Sequence, residues 1–112
     1  MVPLNEARRL VRTILEEHAS HRPSHGDITP MAIVDEAHDQ YQLLHCGWDR
    51  TGRVHAVVVH VRIVDGVIWL EQDGTEYGVA RELRDAGVPR EQIVLAFHPP
   101  SLRVHTGYAV GA

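Results

Sequence analysis

The stretch that decides the fold is residues 68–98, IWLEQDGTEYGVARELRDAGVPREQIVLAFH. It begins with an apolar run, passes through polar turn residues, and then shows apolar residues at the three- and four-residue spacing of a helix. A glycine and a proline follow the periodic segment, and a second apolar run closes the stretch. This order predicts a strand, a turn, a helix and a further strand.

Local signals set both ends of this helix. Asp73 and Glu76 have the spacing of a capping box, in which two side chains satisfy free backbone amides at a helix start, and Thr75 is a competing cap. Gly87 follows the last periodic residue, where a left-handed backbone is easy only for glycine. We therefore predict a capped helix start, a positive φ at Gly87, and a buried strand over residues 93–97.

Length and composition indicate one globular domain, predicted as residues 1–112. The chain is 44% hydrophobic and 23% charged, with a formal net charge of −4, so no global basic field draws it toward nucleic acid. The single cysteine, Cys46, excludes an internal disulfide. The sequence also has no apolar segment suited to a signal peptide or a membrane span, and we predict a cytoplasmic protein that does not enter a membrane.

Residues 4–19 are predicted as the first helix, with Asn5 as its N-cap. Residues repeating at helical spacing form one apolar face: Ala7, Leu10, Val11, Ile14, Leu15 and His18. Arg8, Arg9 and Arg12 lie together on the solvent side, where positive charge near a helix start opposes the helix dipole. The cluster is therefore either a solvated surface or a contact for DNA or a partner protein.

Four strands are predicted between the two helices. They cover residues 31–34, 40–48, 53–64 and 67–72, after a loop over residues 20–29 and with Pro30 at the start of the first strand. Asp65-Gly66 is a strong signal for a two-residue type I′ hairpin turn. The fold class is accordingly α+β, a single domain in which both helices pack on one face of an antiparallel meander.

The Asp65-Gly66 turn also predicts the register of the last hairpin. The expected pairs are Val64–Val67, Ile63–Ile68, Arg62–Trp69, Val61–Leu70 and His60–Glu71. Alternation then assigns a core face without charge: Val57, Val59, Val61, Ile63, Ile68 and Leu70. The other face carries Val58 with His60, Arg62, Trp69 and Glu71. Those last four residues are the candidate surface for a partner or a second subunit, because Trp and Arg are frequent anchors of interfaces.

The sequence carries no recognisable catalytic or metal-binding motif. His18, His21 and His25 are spaced like a row of ligands, but no acid or cysteine completes an evident zinc motif. Cys46 beside His45 cannot form a catalytic pair along a strand, because neighbouring side chains point to opposite faces. We predict no catalytic residue, no metal site and no cofactor, and therefore a protein that is not an enzyme.

Three segments of the chain resemble one known family. They are YQLLHCGWD at residues 41–49, the stretch from residue 68 to the FHPP ending at residue 100, and YAVG at residues 108–111, with Arg103 and Thr106 before the last. Together they are similar to the XisI family, the fdxN element excision controlling factors, over nearly the whole chain. The resemblance implies one shared α+β fold and carries over no catalytic residues.

The same resemblance implies a function. It points to control of the excision of a DNA element by a site-specific recombinase, together with a XisH-type protein that looks like a restriction-endonuclease-fold nuclease. We therefore predict a non-enzymatic accessory protein that binds a XisH-type partner, with a second copy of the chain as a further partner and DNA reached through the complex. Two alternatives stay open: a direct DNA-binding module, and a small metal- or ligand-binding enzyme.

Overall fold

The structure, a computed structural model, describes residues 1–111, and Ala112 at the end of the predicted domain lies outside them. The elements are α1 (Leu4–Ala19), β1 (Asp27–Asp35), β2 (Gln40–Asp49), β3 (Gly52–Val64), β4 (Val67–Asp73), α2 (Val79–Asp85), a 3₁₀ turn (Arg90–Gln92), β5 (Ile93–Leu95) and α3 (Pro100–Arg103). In these residues no helix combines the length and the apolar character that crossing a membrane requires.

The five strands form one sheet in the order β1-β2-β3-β4-β5. The first four pair antiparallel as neighbours along the chain, and β5 adds parallel to β4. Side chains of α1 and α2 share one hydrophobic core with the sheet, including Leu15, Tyr41, Val61 and Leu83. The predicted α+β meander with both helices on one face is therefore confirmed.

The start of β1 and the cap of α1 differ from the prediction, whereas α1 has the predicted bounds, Leu4–Ala19. Strand β1 begins at Asp27, so Pro30 lies inside it; a proline fits there because β1 is an edge strand and needs no amide on its outer side. Helix α1 begins at Leu4 after an extended Pro3, whose carbonyl accepts the amide of Ala7 at 2.9 Å. The predicted cap at Asn5 is wrong, since Asn5 lies within the first helical turn.

The hairpin between β3 and β4 has the predicted turn. Asp65 and Gly66 have φ values of 51° and 77°, as a type I′ turn requires. The predicted pairs are confirmed from Val64–Val67 to Val61–Leu70, but a bulge then shifts the register. His60 lies opposite Gln72, and the predicted pair with Glu71 is wrong because Glu71 is the extra residue of the bulge.

A second bulge changes which valines face the core. Leu43 pairs with Val59 and Leu44 with Val57, so Val58 has no partner of its own on β2. Val58 therefore packs against the core, and Val57 turns to the face opposite the helices. The predicted faces of these two valines are exchanged, whereas Val59, Val61 and Ile63 are buried as expected.

The N-terminus of helix α2 is capped by Asp73, which lies before the loop that leads into the helix. Asp73 accepts the amides of Thr75 at 2.9 Å and Val79 at 2.7 Å, so its carboxylate fixes the loop and the first residue of the helix together. No side-chain cap comes from Gly78, which precedes the helix, and Glu76 does not complete the predicted capping box. Residues 74–78 form a loop before the helix begins at Val79, so Glu76 lies outside the helix.

The end of α2 matches the prediction. Gly87 has a φ of 102°, and the amide of Val88 donates to the carbonyl of Leu83 at 2.9 Å, which completes a Schellman motif. Strand β5 is shorter than predicted: Ile93 and Val94 are fully buried, but the ladder ends at Leu95 and Phe97 is exposed.

Candidate functional site

The three arginines of α1 are each engaged by a carboxylate. Arg8 donates two hydrogen bonds to Asp39, at 2.8 and 3.0 Å, and Arg12 donates to Glu36 in the same β1–β2 turn. Arg9 pairs with Glu6 one helical turn earlier. Two of these arginines therefore fasten α1 to the sheet, and the positive charge of all three is compensated locally.

The structure brings the four predicted surface residues together on the outer face, which is the face of the sheet away from α1 and α2. Arg62 donates to Glu71 at 2.9 Å and lies 5.6 Å from the ring centre of Trp69. His60 contacts Gln40 at 2.8 Å instead of Glu71. Arg62 therefore contacts both Glu71 and Trp69, as predicted, whereas His60 contacts Gln40. All four side chains are partly buried.

The C-terminal segment covers Trp69 from a second side. Arg103 lies 5.5 Å from the indole ring, and its guanidinium donates to the carbonyls of His98 at 3.0 Å and Ala96 at 3.3 Å. Gly111 approaches so closely that an added Cβ would lie 2.5 Å from the ring. Trp69 therefore holds the C-terminal segment on the outer face as well as contributing to its surface.

The outer face also carries an exposed apolar surface on β1, β2 and β3, which the sequence did not predict. Met31 and Ile33 of β1 are 38% and 49% exposed, and Trp48 of β2 is 59% exposed. Half-buried Leu44 and Val57 lie on the same face. We call these five residues the outer apolar patch. Burial alternates over the whole of residues 27–35, whereas the predicted strand, residues 31–34, covers only part of this alternation.

Trp48 is the most exposed large side chain of this patch. The guanidinium of Arg53, its cross-strand neighbour, lies 5.5 Å from the indole ring. Such a stack restricts the ring while leaving its other surface free, because a cation over the ring contacts it from one direction. An exposed Trp–Arg pair on the same sheet face as Met31 and Ile33 has the composition of an interface centre.

The histidines do not gather into a metal centre in the part of the chain that the structure describes. His18 contacts Glu82 at 2.8 Å and thereby links α1 to α2, while His21 lies 3.3 Å from Glu17. Burial lowers the pKa of His45. Across residues 1–111 no three His, Cys, Asp or Glu side chains are grouped as metal ligands would be.

Comparison with known proteins decides the family. The family model described as XisI protein matches residues 1–110. The chain belongs to the XisI family. No curated protein matches it. This assignment confirms the resemblance carried by the segments at residues 41–49 and 68–100.

Two solved structures place the fold within the XisI family. A XisI-like protein from Anabaena variabilis is 38% identical, with a TM-score of 0.89 over 97% of this chain and 100% of that one. The fdxN element excision controlling factor XisI from Anabaena variabilis is 33% identical, with a TM-score of 0.81 over 96% and 98%. Both matches extend over nearly the full length, so the sheet with its outer face belongs to the shared XisI fold.

Proposed function

We propose that this XisI family member is a non-enzymatic accessory protein in the controlled excision of a DNA element. It acts by binding a XisH-type, nuclease-like protein. The first support is the structural neighbour described as an fdxN element excision controlling factor, which is 33% identical over 96% of this chain. A controlling role needs a partner to act on, and the chemistry of the outer face supports a protein as that partner.

The outer apolar patch is the observation that carries the proposal. Met31 and Ile33 are exposed on β1 and Trp48 on β2, all on the outer face. Met31 pairs with Leu44 and Leu44 with Val57, so these three residues form a row across the sheet, and Trp48 lies further along β2 on the same face. Water contact with several large apolar side chains on one flat sheet face is unfavourable, and such patches mark interaction sites in soluble proteins. Arg53 and Arg62 add the polar margin that interfaces usually have.

Direct DNA binding through α1 is the second candidate, and the ion pairs count against it. A contact with DNA gains affinity by replacing the counterions of phosphates with free basic side chains. Arg8, Arg9 and Arg12 already have carboxylate partners, and the whole chain carries a formal charge of −4. Breaking those ion pairs would offset part of the binding free energy that a contact with phosphate contributes.

The experiment compares two ligands at physiological salt. Association with the XisH-type protein and with duplex DNA is measured for the wild type, Trp48→Ala, Ile33→Ser, Trp69→Ala and Arg9→Glu. Leu102→Ser changes an equally exposed apolar residue on α3 and serves as the control. We expect Trp48→Ala and Ile33→Ser to weaken partner binding at least about tenfold, with the control unchanged.

The same measurement separates the candidates. Trp69→Ala is expected to weaken partner binding as well, partly by releasing the C-terminal segment that Arg103 and Gly111 hold against the ring. Arg9→Glu should leave partner binding unchanged. Tight DNA binding by the wild type that is lost in Arg9→Glu would replace the proposal with the DNA-binding alternative.

A further inference from the structure

A second surface, on the helix side of the sheet, combines three arginines in one cleft. The cleft surrounds the turn at Gly87 between α2 and the 3₁₀ turn and has a volume of about 530 Å³. Arg81 and Arg84 of α2 line one side and Arg90 the other. We call this feature the arginine cleft. It is on the opposite side of the sheet from the outer apolar patch, because α2 packs on the inner face.

The arginines of the cleft differ from those of α1 in having no carboxylate partner. Among the described residues, ion pairs engage arginines of α1, Arg22 and Arg62, but none engages Arg81, Arg84 or Arg90. All three instead lie over tyrosine rings. Arg81 is 5.7 Å from the ring centre of Tyr77, while Arg84 and Arg90 are 6.0 and 5.8 Å from that of Tyr108.

The tyrosines that support these guanidinium groups are themselves fixed. Tyr77 donates its hydroxyl to Asp85 at 2.6 Å, a bond that raises the pKa of Tyr77. Tyr108 is half-buried against the hydrophobic core. The neighbouring amide of Ala109 donates to the carbonyls of Ile93 at 2.8 Å and Arg90 at 3.2 Å. The ring contacts thus restrict these exposed cations before a ligand arrives, which lowers the entropy cost of ordering them on binding.

We propose that the arginine cleft binds a carboxylate-rich segment of a partner protein. A guanidinium over a ring keeps its N–H groups directed outward, and their fork matches both oxygens of a carboxylate. Three such groups around one concave space can receive two or three acidic side chains of a short peptide. Buried Val88 and half-buried Pro89 in the cleft wall exclude water from one side of those contacts.

The geometry favours a peptide over nucleic acid. Asp85 and Glu91 also line the cleft, so three positive charges are accompanied by two negative ones. This suits a few spaced carboxylates better than the dense phosphates of duplex DNA. Single-stranded nucleic acid binds by stacking bases on aromatic rings, and the rings of Tyr77 and Tyr108 are already covered by guanidinium groups.

The test uses a fluorescently labelled peptide of eight glutamates, with an eight-glutamine peptide, inorganic phosphate and duplex DNA as comparison ligands. Binding is measured by fluorescence anisotropy and competition for the wild type and for Arg84→Gln/Arg90→Gln. The control is Arg22→Gln/Arg50→Gln, which removes the same charge from two exposed arginines elsewhere in the chain. Circular dichroism verifies that each variant folds.

We expect the cleft variant to weaken binding of the glutamate peptide at least about tenfold, and the control variant to change it less than about twofold. A third variant, Arg84→Lys/Arg90→Lys, keeps the charge and should lose part of the affinity because lysine cannot form the bidentate pair.

Equal losses in cleft and control variants, or no binding of the glutamate peptide, would overturn the proposal. Duplex DNA that displaces the peptide from the cleft at physiological salt would also overturn it. The assay contains no XisH-type protein, so its outcome is independent of the function proposed above.

Discussion

Arg8 and Asp39 form the only two-point ion pair between α1 and the sheet within the described residues, with nitrogen–oxygen distances of 2.8 and 3.0 Å. The carboxylate of Asp39 also accepts the hydroxyl of fully buried Tyr41 at 3.0 Å. Asp39 itself has a φ of 51° in the β1–β2 turn. This one carboxylate therefore connects the first helix, the first turn and a central core residue.

The first prediction concerns acid stability. The hydrogen bonds from Arg8 hold the pKa of Asp39 below its ordinary value of 3.8. A carboxyl whose pKa is depressed by folding contributes stability above the unfolded value, and this contribution is lost as the pH falls through the folded value. Asp39→Asn, which still tolerates positive φ, should be less stable than the wild type at about pH 7, with the difference shrinking below about pH 4.

Urea unfolding followed by circular dichroism across this pH range tests the prediction. Asp27→Asn is the matched control, because Asp27 is highly exposed and lies 3.4 Å from Arg22. It should unfold like the wild type at every pH. A difference between Asp39→Asn and the wild type that stays constant down to about pH 2 would show that the ionised carboxylate is not the source of the stability.

The second prediction concerns alkaline stability. Burial, together with the hydrogen bond to Asp39, raises the pKa of Tyr41 to about 12. Because the neutral phenol is favoured in the folded state, its contribution is complete below about pH 10 and is lost as the pH rises toward 12, on the order of 2 to 3 kcal/mol in total. Tyr41→Phe should therefore lose less stability between about pH 9 and 12 than the wild type, measured by urea unfolding. The same alkaline loss in both proteins would contradict this account.

The third prediction concerns Gly87. Its φ of 102° lies in the left-handed region, and an added Cβ would have no heavy atom within 4 Å, so only backbone strain opposes a larger residue. Gly87→Ala should cost about 1 kcal/mol of stability. Gly87→Asn should cost less, because asparagine tolerates this conformation better than alanine. Thermal unfolding of the three proteins measures the order, and equal midpoints would refute the strain at this position.

The fourth prediction concerns the fully buried Gln92. Its side chain accepts the amide of Val2 at 2.8 Å and donates to the carbonyls of Val2 at 2.8 Å and Gly66 at 2.9 Å. Gln92→Ala leaves three backbone groups without these partners and should cost about 2 to 4 kcal/mol. The control Gln42→Ala, at a half-buried position on the outer face, should cost less than about 1 kcal/mol in the same urea titration. An equal loss of unfolding free energy in both variants would mean that the hydrogen bonds of Gln92 do not contribute to stability.

Much of the fold could be predicted because its determinants are local. The Asp65-Gly66 turn fixes a hairpin by its own backbone preferences, and Gly87 ends a helix whose periodicity is read directly from the sequence. The amphipathic pattern of residues 4–19 likewise identifies the buried side of α1. These signals suffice for the order of the elements and for the face that the helices cover.

The candidate site was less predictable because it depends on contacts between distant residues. A bulge at Val58 exchanges two side chains between the faces of β3, and alternation alone cannot locate a bulge. The carboxylates that engage Arg8 and Arg12 come from the turn after β1, more than twenty residues away. Likewise, Tyr108 supports Arg84 and Arg90 only after the C-terminal segment has folded back beside β5.

The central claim is that the outer apolar patch is the surface that binds a XisH-type partner. Hydroxyl-radical footprinting tests it directly, because Met31 and Trp48 oxidise readily and are both exposed in the free protein. In the saturated complex we expect their oxidation rates to fall at least about threefold, while exposed Met1 and His21 react as before, since interface cores exclude water. Unchanged oxidation of Met31 and Trp48 in a saturated complex, or failure of the two proteins to associate, would contradict the claim.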